Sequence, residues 1–317
     1  MLPTHARIVI VGGGAVGCSI AYHLAQMGER DVVLVEKSGL THGATWHAAG
    51  LVGQLRSKRN LTRLMQYSAE LYGRLEAEQS IDWKPVGSLR IASSPDRWSE
   101  LKRNASTARS FGFDIHTLSP QEAHRMFPLI SLDGVVGAMF VPGDGSVDPS
   151  SLTQAYARGA RAGGVRIHEG VRVVELTVKD RRVTHVVTDQ GTIAAEIVVN
   201  AAGMWARELG RLAGVRVPTG AVEHQYMITE KSAAIPKGLP TLRDPDKIFY
   251  LKPDVGALVI GGWEKNTVPF GANGIPPDFG RELLASNFER FEQVALPAAE
   301  RIPLLNDLGI RSLINGP

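Results

Sequence analysis

Six residues near the amino terminus carry the first chemical signal. Gly12-Gly13-Gly14-Ala15-Val16-Gly17 reads G-x-G-x-x-G. In such a run Gly12 permits a tight turn, Gly14 lets the backbone approach a pyrophosphate, and Gly17 allows close packing of helix on strand. The helix opening at Ala15 presents unpaired N–H groups and the positive end of its dipole, which favour phosphate. Glu36 closes the following strand-like run, 24 residues after Gly12. It stands where a carboxylate accepts hydrogen bonds from ribose hydroxyls and disfavours a 2′-phosphate. The spacing does not separate FAD from NAD.

A second set lies at residues 39–51, Gly-Leu-Thr-His-Gly-Ala-Thr-Trp-His-Ala-Ala-Gly-Leu. Its small residues allow a flat ligand to come close, with His47 among them, although composition alone gives His47 no rank. Ala201-Ala202-Gly203 ends a strand-like run at what would be the carboxyl edge of a sheet, where open α/β folds bind ligands. His42, His116, His124, His168 and His185 have no partners at metal-ligand spacing, so no metal is predicted. No Gly-x-Ser-x-Gly elbow or Cys/His constellation supports hydrolysis. The lone Cys18 excludes a disulfide within the chain, fits a reducing, cytoplasmic compartment and reads as packing in the first helix.

The elements that must position these residues follow from periodicity. A β-branched strand over 7–11, a helix with Val16, Ile20, Leu24 and Met27 on one face, and a strand over 31–35 make a βαβ unit. An amphipathic helix is predicted over 61–75, strands over 86–92 and 135–141, and a helix over about 95–111. Ser119-Pro120-Gln121-Glu122 reads as a helix start. A helix over 149–163 precedes three strands (171–178, 182–188, 192–199) turning at Asp180-Arg181 and Gln190-Gly191, and a helix over about 205–212 follows. Strands over 222–229, 247–252 and 256–262 and an amphipathic helix over 278–296 complete the pattern. These segments predict an α/β protein in which a parallel-sheet nucleotide unit (1–80 and 145–218) is interleaved with a mixed-sheet substrate unit (81–144 and 219–300). Residues 301–317 are expected to begin a return to the nucleotide unit.

Composition bounds the rest. An apolar share of 44% and a charged share of 21% are globular values, and 317 residues bury a sizeable core. The net charge of +3 comes from scattered Lys and Arg, with no basic stripe for nucleic acid. No apolar run is long enough to span a membrane. With a strand-like run entered by Arg7, no signal or transit peptide is expected.

Taken together, these motifs resemble the sarcosine dehydrogenase and dimethylglycine dehydrogenase family of FAD-dependent oxidoreductases, within the D-amino-acid-oxidase-like superfamily. The resemblance runs through nearly the whole chain. Its pieces are the glycine fingerprint, Gly43-Ala44-Thr45-Trp46-His47-Ala48-Ala49-Gly50, Gln54-Leu55-Arg56, Val141-Pro142-Gly143-Asp144-Gly145 and Val199 through Ala206. Further along are His224-Gln225-Tyr226, Arg243-Asp244, Tyr250-Leu251 and Gly261-Gly262-Trp263-Glu264.

It implies a Rossmann-like FAD-binding domain with an interleaved mixed β-sheet substrate domain. It also implies a covalent bond from His47 to the 8α-methyl carbon of FAD. Further cofactor contacts would fall at Lys37, Gly43, Ala44, Thr45, Ala49, Gly50, Leu51, Val173, Ala202, Gly203 and Trp205. The implied reaction is hydride transfer from the N-methyl group of an amino acid to flavin N5. Hydrolysis then gives formaldehyde and the demethylated amine, with oxygen or an electron-transfer flavoprotein as acceptor. His224 and Tyr250 match positions on the flavin's substrate face, and Arg56 is the candidate clamp for a substrate carboxylate. Two alternatives stand beside this reading. One is a D-amino-acid or other amine oxidase with non-covalent FAD. The other is a truncated fragment or binding module, since family members continue past Pro317 into another glycine-rich flavin contact and many into folate-binding domains.

Overall fold

The computed structural model describes residues 1–317. Strand β1 (His5–Val11), helix α1 (Ala15–Gln26) and strand β2 (Val32–Glu36) form the βαβ opening. Both strands are buried nearly throughout, as central parallel strands must be. Helix α1 departs from its apolar pattern. Val16 and Met27, expected on the buried face, are 65% and 80% exposed, and Gly17, Cys18 and Ala21 are buried instead. Close packing selects the small residues. A Cβ on Gly163, the cap that follows the facing helix, would lie 2.5 Å from the Ala25 methyl, and one on Gly159 within that helix would lie 2.6 Å from the Tyr22 ring.

The chain continues through β3 (Leu51–Val52), α2 (Arg59–Gln79), β4 (Ser88–Ala92), α3 (Pro95–Arg109), β5 (His116–Leu118) and α4 (Pro120–Met126). Helix α4 starts where the sequence predicts, in a capping box of Ser119 and Glu122. Next come β6 (Gly137–Val141), β7 (Gly145–Ser146), α5 (Pro149–Ala162), β8 (Arg166–Glu169), β9 (Val173–Lys179), β10 (Arg182–Thr188) and β11 (Gly191–Asn200). A single 3-10 turn at Gly203–Trp205 leads into α6 (Ala206–Leu212). The last part holds β12 (Ala221–Val222), β13 (His224–Thr229), β14 (Thr241–Asp244), β15 (Phe249–Asp254), β16 (Ala257–Gly262), β17 (Pro269–Phe270), α7 (Phe288–Arg301) and β18 (Ile310–Gly316).

The helix expected over 278–296 is displaced. It begins at Phe288, capped by the Asn287 side chain, and runs to Arg301 through Pro297. The preceding residues are held elsewhere: Leu284 N–H donates to the Asn315 carbonyl at 2.8 Å, and the Phe279 ring packs 4.9 Å from Phe270. Those bonds outcompete the helical ladder that the apolar spacing suggested.

Two large sheets result. The six-stranded sheet has the order β8-β2-β1-β11-β10-β9, with β8, β2, β1 and β11 parallel. Apolar clusters cover both its faces, one including α1 and α5. The eight-stranded sheet has the order β18-β13-β16-β15-β14-β4-β6-β5 and is antiparallel except where β14 meets β4. Leu242, Leu251, Ile260, Met227 and Leu313 line one of its faces and pack against Phe291, Val294 and Ala298 of α7. Residues 310–316, expected to begin a return to the nucleotide unit, form the edge strand of this second sheet instead, paired with β13. No helix is long and apolar enough to cross a membrane.

Candidate functional site

The glycine fingerprint sits between β1 and α1, at the carboxyl edge of the six-stranded sheet. Contact distances explain its composition. A Cβ on Gly12, where φ is +118°, would lie 2.2 Å from the Ala201 carbonyl oxygen, and one on Gly17 would lie 1.9 Å from the Gly12 oxygen. Neither position admits a side chain. Thr45 Oγ1 accepts from Ala15 N–H at 3.1 Å and so ties residues 39–51 to the start of α1. Glu36 is engaged within the turn, accepting from Gly13 N–H at 2.7 Å and Ser38 N–H at 2.9 Å.

These elements surround a cavity of about 480 Å³, within the usual range for small-molecule sites. Twelve of the sequence-predicted cofactor residues line it: Gly12, Gly14, Ala15, Glu36, Lys37, Gly43, Ala44, Thr45, Val173, Ala202, Gly203 and Trp205. Gly17, His47, Ala49, Gly50 and Leu51 do not. Gly17 serves the helix–strand contact. Gly50, with φ at +74°, lets the chain pass the Val147 carbonyl, where a Cβ would lie 2.1 Å away.

Lys37 lines the cavity, yet its ammonium donates to the carbonyls of Pro277 (2.8 Å) and Phe279 (3.0 Å) and lies 3.6 Å over the Trp205 ring. Trp205 Nε1 donates to the Pro276 carbonyl at 3.3 Å. This clasp draws Ile275, Pro277 and Gly280 onto the cavity wall. Those residues stand some 240 positions from Lys37 and carry no motif, so nothing in the sequence points to them. His42, expected only to have no partner at metal-ligand spacing, belongs to the lining as well.

His47 stands at the junction of the two sheets. A Cβ on Gly316 would fall 2.6 to 2.9 Å from three atoms of its ring, so the imidazole lies directly on the last residue of β18. Gly316 pairs with His224 on β13. Burial lowers the pKa of His47 below its ordinary 6.5, so the ring is neutral near pH 7. The Trp46 ring meets it edge-on at 5.3 Å, and the Trp46 indole N–H is buried without a partner.

The polar face of the eight-stranded sheet continues from there. Alternation along the strands puts His224 and Tyr226 (β13), Gly261 (β16), Tyr250 (β15), Arg243 (β14) and Arg90 (β4) on one face. The Tyr250 phenol lies over Gly261, where a Cβ would come within 2.3 Å of its Cζ and Oη. Trp263 meets the Tyr250 ring at 5.9 Å. Burial lowers the pKa of His224, with Glu264 opposing and Arg290 reinforcing the shift. Burial also raises that of Tyr250, keeping the phenol protonated. Arg56 is exposed, and its guanidinium donates to the Leu55 carbonyl at 3.0 Å. A Cβ on Gly53 would lie 3.7 Å from that guanidinium and 3.5 Å from the guanidinium of Arg243.

The glycine cradle, the open helix start, the acidic Glu36 and the apolar lining fit a dinucleotide such as FAD. The comparisons agree. The family described as "DAO: FAD dependent oxidoreductase" matches residues 7–312. Rat dimethylglycine dehydrogenase (Rattus norvegicus) is 39% identical over 98% of this chain and 38% of its own length. Mouse sarcosine dehydrogenase (Mus musculus) is 37% identical over 100% of this chain and 35% of its own length. The chain thus spans little more than a third of those relatives. The crystal structure of L-proline dehydrogenase from P. horikoshii superposes with a TM-score of 0.88 at 28% identity, covering 99% of this chain and 82% of that one. The chain belongs to the DAO family of FAD-dependent oxidoreductases.

Proposed function

We propose that this chain is the flavin-binding, substrate-oxidising unit of an enzyme that demethylates an N-methyl amino acid of the sarcosine or dimethylglycine type. The observation that carries the reading is the contact of His47 with Gly316, which sets the tether candidate against the strand pair that holds His224. When bound, FAD supplies the acceptor for a hydride leaving the N-methyl carbon. The chain's own residues do the remaining work. Neutral His47 offers the nucleophilic nitrogen that a covalent flavin tether needs. Neutral His224 offers a lone pair to the substrate ammonium proton, freeing the nitrogen electrons that expel hydride. The protonated phenol of Tyr250, locked over Gly261, donates a hydrogen bond and fixes the substrate's orientation. Water adds to the resulting iminium and releases formaldehyde and the demethylated amine.

Acid precipitation of the flavin-loaded protein tests the tether. Yellow colour is expected in the pellet of the wild type and in the supernatant of His47→Ala; colour wholly released from the wild type rejects the covalent bond. Formaldehyde is expected from sarcosine or dimethylglycine. Bleaching by D-alanine without any formaldehyde from N-methyl substrates would replace this reading with that of a general amine oxidase.

A further inference from the structure

The strand that carries His224 loses one neighbour where His224 stands. Strand β13 pairs with β16 only from Tyr226 to Ile228, so the β16 side is open at Gln225 and His224. On the other side His224 pairs with Gly316 and Gln225 with Asn315. Side chains replace the missing ladder. Glu264 Oε1 accepts from the Gln225 backbone N–H at 3.1 Å. The Gln225 amide grips the backbone of Asn287 twice. Its oxygen accepts from the Asn287 N–H at 2.8 Å, and its nitrogen donates to the Asn287 carbonyl at 3.2 Å.

Arg290, in the first turn of α7, joins these groups. Its Nε lies 2.7 Å from Glu264 Oε2, and its Nη1 donates to Glu223 Oε2 at 2.9 Å. The Asn315 amide nitrogen donates to the same Glu223 oxygen at 3.0 Å and to the Ala285 carbonyl at 2.7 Å. Glu223 and Gln225 flank His224, and Asn315 precedes Gly316, on which the His47 ring lies. One cluster therefore holds the chain on both sides of His224 and just before the seat of His47.

Stability alone accounts poorly for this cluster. The side chains of Glu264 and Arg290 are 0% and 9% exposed, and one cation answers two carboxylates. Arg290 Nη2 and Asn315 Oδ1 are buried without partners. A buried ion pair contributes little net stability over apolar side chains of similar volume. What it adds is direction, since hydrogen bonds fix an angle and apolar contacts do not.

We propose that Glu264 and Arg290, with Glu223 and Asn315, are positioning residues that hold His224 toward the substrate amine and keep Gly316 under His47 for flavin attachment. This rests on the reading of His224 as proton acceptor and His47 as tether.

The test uses the flavin-loaded protein and three measurements: kcat and KM for sarcosine, the flavin retained in an acid pellet, and the His224 ring resonance by NMR, assigned through its loss in His224→Asn. Glu264→Ala is expected to lower kcat about 10- to 100-fold at unchanged KM and to shift the His224 resonance. Glu264→Gln keeps an acceptor for the Gln225 N–H and is expected to restore part of that kcat. Asn315→Ala serves should the Glu264 variants fold poorly. It is expected to lower the share of flavin retained in the pellet, with total bound flavin unchanged. Val294→Ala, a core truncation on the same helix, lowers the urea midpoint and is expected to leave all three measurements at wild-type values. Equal changes in Val294→Ala, or wild-type values in every Glu264 and Asn315 variant, overturn the positioning role. If the wild type oxidises no N-methyl amino acid while the His224 resonance still depends on Glu264, the functional reading fails and the positioning stands. If sarcosine is oxidised equally by all variants, the positioning fails and the functional reading stands. Flavin released wholly from the wild type by acid removes the His47 arm and leaves the His224 arm to its own measurements.

Discussion

Arg243 and Asp244 are neighbours on β14, and the two faces of that strand treat charge in opposite ways. Asp244 points into the interior and meets Arg301 at 3.0 Å, both side chains at most 1% exposed. Arg301 is satisfied all round, donating also to the carbonyls of Ser131 (2.6 Å) and Asp133 (2.9 Å) and to the Ser93 hydroxyl (2.9 Å). Arg243, one residue earlier, faces a cavity with no partner. The first pair belongs to the architecture, because every guanidinium nitrogen it buries has an acceptor. Arg243 has neither an ion pair nor a hydrogen bond, and its charge stays at the rim of the cavity. A buried charge therefore informs about function through what it lacks, and the alternation of a strand lets both kinds sit side by side.

Substitutions on the two faces sharpen this contrast. Arg301→Leu strands the Asp244 carboxylate and is expected to cost about 3–5 kcal/mol of stability, read from the urea midpoint. Arg243→Gln is expected to stay within about 1 kcal/mol of wild type, since it removes an unpartnered cation. Equal losses would break the comparison. The glycine pair of β16 repeats it on a smaller scale. On the interior face, a Cβ at Gly262 would lie 2.5 Å from a Val294 methyl and 2.6 Å from the Ile248 carbonyl oxygen. Gly262→Ala should thus cost about 1–3 kcal/mol by overpacking. Gly261→Ala instead displaces the Tyr250 phenol. It is expected to lower kcat in steady-state kinetics with a smaller change in stability.

The smallest effect is pH-dependent. Burial holds His224 below its ordinary 6.5 in the folded chain, so below that pH the unfolded chain binds more protons. Stability falls as pH drops through 6.5 toward the lowered value. His224→Asn should flatten that slope in denaturation measured across pH, and Glu264→Gln, which removes the opposing charge, should steepen it. Unchanged slopes would argue that His224 is well hydrated.

Much of the lining of the larger cavity was legible because its requirements are local. Gly12, Gly14 and Gly17 answer to steric limits within one turn of backbone, and the Ser119–Glu122 capping box closes within four residues. The turn at Asp180-Arg181 lies where both residues take positive φ, at 51° and 62°. The fold departs from the sequence pattern where distant segments decide. Val16 is apolar yet exposed to the cavity, since α1 packs on α5 through small residues. The apolar spacing over 278–296 mixes residues bonded to β18 with those of α7. The Lys37 clasp joins positions too far apart in sequence to suggest one another.

What the sequence determined by itself is the glycine-rich turn between β1 and α1 and, through the Trp46-His47 segment, the family. Both depend on backbone geometry and residue types within short runs. Only the tertiary structure decided which arginines find a partner. Arg243 and Arg90 meet because β14 pairs in parallel with β4, a contact across some 150 residues. Their lack of partners depends on where every other carboxylate lands. A linear pattern records which groups are charged; whether a buried charge is answered is settled only when the chain has closed around it.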